Sequence, residues 1–152
     1  MKAIAYSIQP YEKESLILAN GKKHDLTLIS NELNDKTILF AAGKEAVIVS
    51  NSDLLDIPLL QELWQKGVKF IIIRSNETAR IDLTTATRIG FKIANVPGKD
   101  QSVDAISRSI IRNLNAWEKG KCVGSACCCD KVYDLASKKK VNLNHVGLKE
   151  CN

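Results

Sequence analysis

Residues 71–82 read IIIRSNETARID. Three isoleucines run into Arg74, and then come Ser75, Asn76, Glu77 and Thr78. An apolar run with no polar alternation reads as a strand buried on both faces. The polar residues after it read as the loop leaving that strand's carboxyl end. Open α/β sheets bind small molecules at that end.

Working outward, the same pattern repeats. Apolar strand-like runs fall at 2–8, 24–30, 46–50, 68–73 and 91–96. Between and after them lie segments with helical spacing at 10–20, 34–43, 52–67, 82–90 and 102–120, most closed by a glycine. Pro10 suits a helix start, Asp82 suits a helix cap, and Pro97 halts the last strand. The last helix carries Val103, Ile106, Ile110, Leu114 and Trp117 on one stripe. Five βα repeats with right-handed crossovers predict a flavodoxin-like α/β fold: a five-stranded parallel sheet, order 2-1-3-4-5, with helices on both faces. The strand ends that would line a site are then Gln9–Pro10, Ser30–Asn31, Ser50–Asn51, Arg74–Thr78 and Pro97–Lys99.

Composition narrows the function classes. The chain has 152 residues, 45% of them hydrophobic and 26% charged, which suits one globular domain. It has no apolar run long enough to span a membrane, and its start reads as a strand rather than an export signal, so the cytoplasm is the expected compartment. The net charge is +5, yet aromatics are only 5%. Nucleic-acid binding wants basic residues interleaved with aromatics, so no nucleic-acid partner is expected.

Chemistry is sparse. Eight glycines include no G-x-G-x-x-G, so the usual dinucleotide and phosphate-loop sites are absent. A phospho-acceptor receiver would need acidic residues where Gln9–Pro10 and Ser50–Asn51 stand. His24 falls at the amino end of the second strand and His145 in the tail, so neither is placed as a general base. Arg74 either forks onto a ligand carboxylate or pairs internally with Asp82 or Asp53, and internal pairing is the plainer reading of a buried arginine.

Four stretches together carry a resemblance: IAYSIQPYEKESL (4–16), AVIVSNSDLL (46–55), LWQKGVKFIIIRS (63–75) and IDLTTATRIGFKIANVP (81–97). They resemble the substrate-binding domain of the D-isomer-specific 2-hydroxyacid dehydrogenases, in particular the D-lactate dehydrogenase type. The most specific element is R-S-x-x-x-x-x-I-D-L followed by a helix and G-F-K-I-A-N-V-P. In that family the chain leaves this domain after the last strand, builds an NAD-binding domain, and returns with a final helix. Here GKDQ (98–101) leads directly into a segment similar to that returning helix.

The resemblance implies one substrate-binding domain over 1–121, made of 1–98 plus the helix 102–120, and a basic tail over 122–152. It implies substrate contacts from Ser75, Asn76 and Glu77, whose backbone N–H groups match the family's carboxylate-binding loop, and a pocket wall at Tyr6 and Gln9–Pro10. The family usually has glycine where Glu77 stands, and Thr78, Ala79, Gly98 and Lys99 also depart from its pattern. No residue matches the family's catalytic arginine, glutamate and histidine. NAD is the family's cofactor, and this chain is expected to bind none alone. The expected ligand is a small 2-hydroxy or 2-keto acid, held weakly or not at all. Self-association through the strand-end face is expected, because the family covers that face with its second domain.

The alternative is a metal- or partner-binding module using the tail, with Cys122, Cys127, Cys128, Cys129 and Cys151 as thiols. Their spacing fits no standard zinc pattern.

Overall fold

The computed structural model describes residues 1–77, 80–121, 123, 132–134 and 139–141. Its core is a five-stranded sheet in the order β2-β1-β3-β4-β5. The strands are β1 (Lys2–Ala5), β2 (Asp25–Leu28), β3 (Ala46–Val49), β4 (Phe70–Ile73) and β5 (Lys92–Asn95). Every pairing in it is parallel. Order and direction are those expected from the apolar runs. The helices are α1 (Pro10–Asn20), α2 (Ile57–Gln65), α3 (Leu83–Ile89) and α4 (Val103–Glu118). None is long and apolar enough to cross a membrane.

The continuous apolar strands feed two cores, because successive side chains leave opposite faces. In β4, Ile71 and Ile73 join a core with Leu60 and Leu63 of α2 and Ala86 of α3. Ile72 joins the other, with Leu16 of α1 and Ile110, Ile111, Leu114 and Trp117 of α4. Trp117 lies against Phe70, with ring centroids 4.8 Å apart. The α4 helix is thus part of the sheet's cover, packed beside α1. Val123 is 8% exposed and joins the same core, so the packed unit reaches slightly past residue 121.

Two expected helices are shorter. The segment 34–43 forms only a 3-10 turn, Ile38–Ala41. The Asn34 side chain accepts from the backbone N–H of Lys36 and of Thr37, a local turn that competes with an α-helix. The segment 52–67 becomes helical only at Ile57, where Asp56 caps it by accepting from Leu59 N–H at 3.0 Å and Pro58 sits in the first turn. Upstream, Leu55 makes a parallel bridge to Ile81 instead.

Beyond the main sheet, β6 (Val132–Asp134) and β7 (Lys139–Val141) pair antiparallel. The five cysteines and His145 lie outside the described residues, and among those described no group of His, Cys, Asp and Glu is arranged to hold a metal.

Candidate functional site at the strand carboxyl ends

The carboxyl ends of β1, β3 and β4 meet the start of α1 around an open, polar cleft of about 360 Å³. Ser7, Glu12, Glu32, Asn51, Arg74 and Ser75 are among its lining residues. Two buried charged groups organise it.

Asp53, 3% exposed, is the first. Its carboxylate accepts from Ser7 Oγ at 2.9 Å, Leu33 N–H at 3.1 Å and Ser50 N–H at 2.7 Å. It therefore ties the ends of β1 and β3 to the loop after β2. Ser7 holds a left-handed backbone, φ 55°, which is uncommon for a residue with a side chain and tends to persist where surrounding bonds fix it.

Arg74 is the second. The expected partners Asp82 and Asp53 are both committed elsewhere: Asp82 caps α3 through Thr85 N–H, and Asp53 is the hub just described. Arg74 leaves β4 on the α1 side instead. One terminal nitrogen pairs with Glu12 Oε1, and the other donates to the carbonyls of Tyr6 and Ser7, each at 3.0 Å. Glu12 serves twice, since its other oxygen accepts from Gln9 N–H at 2.8 Å and closes the start of α1. This arginine is thus a brace between strand ends rather than a free carboxylate fork.

The four residues expected to touch substrate fall in different settings. Ser75 lines the cleft, and its hydroxyl accepts from Glu77 N–H at 3.0 Å. One N–H of the expected carboxylate cradle is therefore already occupied. The Glu77 carboxylate turns toward β3 and accepts from Asn51 Nδ2 at 3.2 Å. Asn76 is exposed, with its carbonyl taken by Asn95 Nδ2 at 3.2 Å. Tyr6 does not wall the cleft. Strand alternation sends its ring into the core, where it is fully buried and its hydroxyl donates to the Thr37 carbonyl at 3.0 Å. Gln9 does line the cleft.

Burial, and then the Asp53 carboxylate, push the Tyr6 hydroxyl up to about 12. The ordinary unfolded value is about 10, so Tyr6 favours the folded state fully below that pH and ceases to do so as pH rises through the folded value. In an ultraviolet titration, one of the three tyrosines should ionise late and together with unfolding, and Tyr6→Phe should remove that step. Ionisation of Tyr6 near the ordinary value in the folded chain would contradict this placement.

His24 lies at the opposite edge, 6% exposed, with Nε2 2.8 Å from Asn115 Oδ1 of α4. It is structural, far from the cleft's end of the sheet. Glu12 and Asp53 are the organising residues that sequence reasoning missed as such. The only sequence signal for Glu12 was its place three residues after the residue preceding α1, where a capping carboxylate belongs.

Residues 3–103 match the family described as D-isomer specific 2-hydroxyacid dehydrogenase, catalytic domain. A D-lactate dehydrogenase of Curvularia clavata is 35% identical over 121 residues, which is 76% of this chain and 35% of that protein. The apo structure of D-lactate dehydrogenase from Escherichia coli superposes with a TM-score of 0.63 at 35% identity, covering 66% of this chain and 32% of that one. The Salmonella D-lactate dehydrogenase structure gives 0.62 at 26% identity, covering 82% and 41%. The chain thus spans about a third of the length of the curated relatives it matches.

Proposed function

The chain belongs to the D-isomer specific 2-hydroxyacid dehydrogenases, and from that premise we propose that it supplies the substrate-binding part of an NAD-dependent D-2-hydroxyacid dehydrogenase of the D-lactate type. The observation that carries this reading is the cleft at the carboxyl ends of β1, β3 and β4, with the Ser75–Glu77 loop at its rim. The ligand would be a small 2-keto or 2-hydroxy acid, and the compartment the cytoplasm. The reading extends to a unit in which α4 completes the sheet's cover. The broad Salmonella match supports that, since its coverage exceeds residues 3–103.

Alone, the chain is proposed to be silent. Hydride transfer needs the nicotinamide held against the substrate, and positioning it is the protein's task. The residues present do not fit that cofactor. A pyrophosphate needs glycines where a strand turns into a helix, so that backbone N–H groups come close. Among the described glycines, Gly21, Gly43, Gly67, Gly90 and Gly120 follow helical segments instead. Gly98 alone among them lies just past the carboxyl end of a strand, without a glycine partner at the required spacing.

Substrate binding is proposed to be weak for a local reason. Glu77 sets a negative charge beside the expected carboxylate position, and its N–H is spent on Ser75. Glu77→Gly removes the like charge, worth about 1 kcal/mol at contact distance in water, so pyruvate should bind about fivefold tighter. An amide NMR titration following Ser75–Glu77 measures this. Unchanged or weaker binding in the variant, with shifts elsewhere, would count against a carboxylate site in this loop.

The strand-end face also shows apolar side chains. Tyr11, Leu54 and Ile57 are 68%, 58% and 44% exposed at the starts of α1 and α2. Weak self-association through this face is part of the proposal. A strictly monomeric sedimentation profile at high concentration would remove that part.

A further inference from the structure

No aliphatic side chain lines the cleft: its described walls are serine, glutamine, asparagine, glutamate, arginine and tyrosine. The polar groups around the ends of β1, β3 and β4 are largely committed. Ser7 donates to Asp53, the Ser50 and Ser52 hydroxyls lie 2.8 Å apart and bond each other, and Asn51 donates to Glu77. On the β2 side they are not. Ser30 and Glu32, in the loop after β2, and Tyr11 of α1 line the cleft with no side-chain hydrogen bond to any described residue.

Charge narrows what could meet those groups. Arg74 is the only cation among the lining residues, and it is paired with Glu12. Glu32 adds a carboxylate without a cation beside it. A second acidic group on a ligand would face that charge with nothing to offset it. An aliphatic substituent would strip water from hydroxyl and carboxylate groups and return no hydrogen bond, and each group left unmet weakens binding. A hydroxyl-bearing substituent replaces the lost water, since each hydroxyl both donates and accepts.

Reach sets the length. In the sheet β2 is separated from β4 by β1 and β3, so their ends lie roughly 14 Å apart at the usual strand spacing. A three-carbon acid held at the Ser75 loop leaves Ser30 and Glu32 to water. An acid of five or six carbons extends toward them across the ends of β3 and β1. We propose that the cleft selects a 2-keto or 2-hydroxy acid whose substituent is an uncharged, hydroxylated chain of sugar-acid type, with its far hydroxyls on Glu32 and Ser30. This rests on the reading of the Ser75–Glu77 loop as the carboxylate site.

The test is an amide NMR titration of the full chain with three six-carbon 2-hydroxy acids: D-gluconate, D-2-hydroxyhexanoate, which lacks the further hydroxyls, and D-glucarate, which ends in a second carboxylate. D-gluconate should give saturable shifts at both ends of the cleft, in Ser75 and Asn76 and in Ser30 and Glu32. The other two should bind at least several-fold more weakly. Glu32→Ala, at an exposed position, should weaken D-gluconate about tenfold, the loss of one hydrogen bond to a charged group, and leave D-2-hydroxyhexanoate unchanged. Equal or tighter binding of D-2-hydroxyhexanoate or D-glucarate, or undiminished binding of D-gluconate by Glu32→Ala, overturns the hydroxylated chain, while shifts at Ser75 and Asn76 would still uphold the carboxylate site. Absence of shifts at Ser75 and Asn76 with all three acids overturns both.

Discussion

Arg74→Ala is expected to destabilise the fold by about 3–5 kcal/mol, the usual cost of breaking a buried ion pair by removing one partner. The reason is local and specific. Loss of the guanidinium leaves Glu12 without its cation and strips both the Tyr6 and Ser7 carbonyls of their donor. Those carbonyls directly follow β1, and Ser7 already holds an uncommon left-handed conformation there. Asp53, the other buried charge there, is an acceptor and cannot replace the donor. Glu12→Gln should cost less, because it keeps an oxygen facing the arginine. Urea denaturation of the two variants measures both. An Arg74→Ala cost under about 1 kcal/mol, the range of exposed ion pairs, would mean the pair is a surface contact and not a brace.

The second large effect is expected at Trp117. This indole is 5% exposed, lies against Phe70 of β4, and anchors the end of α4 to the sheet. Trp117→Ala should cost about 3–5 kcal/mol, as large-to-small core changes with an aromatic do. Trp117→Phe should cost much less. The indole Nε1 is buried without a hydrogen-bond partner among the described residues, so its removal sacrifices no bond there, and the phenyl ring keeps most of the contact with Phe70. The contrast bears on how the chain is built. If α4 is part of the sheet's cover, both variants unfold in one cooperative transition, with the alanine form shifted far more. A near-neutral Trp117→Ala would mean that α4 is dispensable and that α1 suffices to cover that face of the sheet.

Much of this architecture was legible in the residues. The runs 46–50 and 68–73 are apolar without alternation, which demands cover on both faces, and that demand forces parallel strands with helices between them. Gly21 and Gly90 mark helix ends because each holds a left-handed backbone, φ 51° and 115°, that ends a helix cleanly. The failures have equally local causes. The segment 34–43 has helical spacing, but Asn34 and Thr37 spend their side chains on a turn of their own. Residues 52–56 have helical spacing, yet Leu55 is drawn into a bridge with Ile81 that no local pattern announces.

The site was less legible, because its logic is non-local. Arg74 stands out in the sequence, but its partner lies 62 residues away. Only the register of β1 beside β3, and of β3 beside β4, brings the start of α1 within reach of it. The resemblance implied that Tyr6 walls the pocket. Its side depends on pleat parity, which a shift of one residue reverses. The resemblance placed the Ser75–Glu77 loop at the rim of a cleft. It did not reveal that Ser75 would occupy the Glu77 N–H, because that bond depends on one side-chain rotamer within the loop.

The central claim is that this chain carries the substrate side of a D-2-hydroxyacid dehydrogenase and cannot transfer hydride by itself. The most direct measurement is to incubate the purified chain with NADH and pyruvate and to follow NADH absorbance over a range of protein concentrations. The account predicts decay at the protein-free rate at every concentration. Decay that rises in proportion to the protein would contradict it.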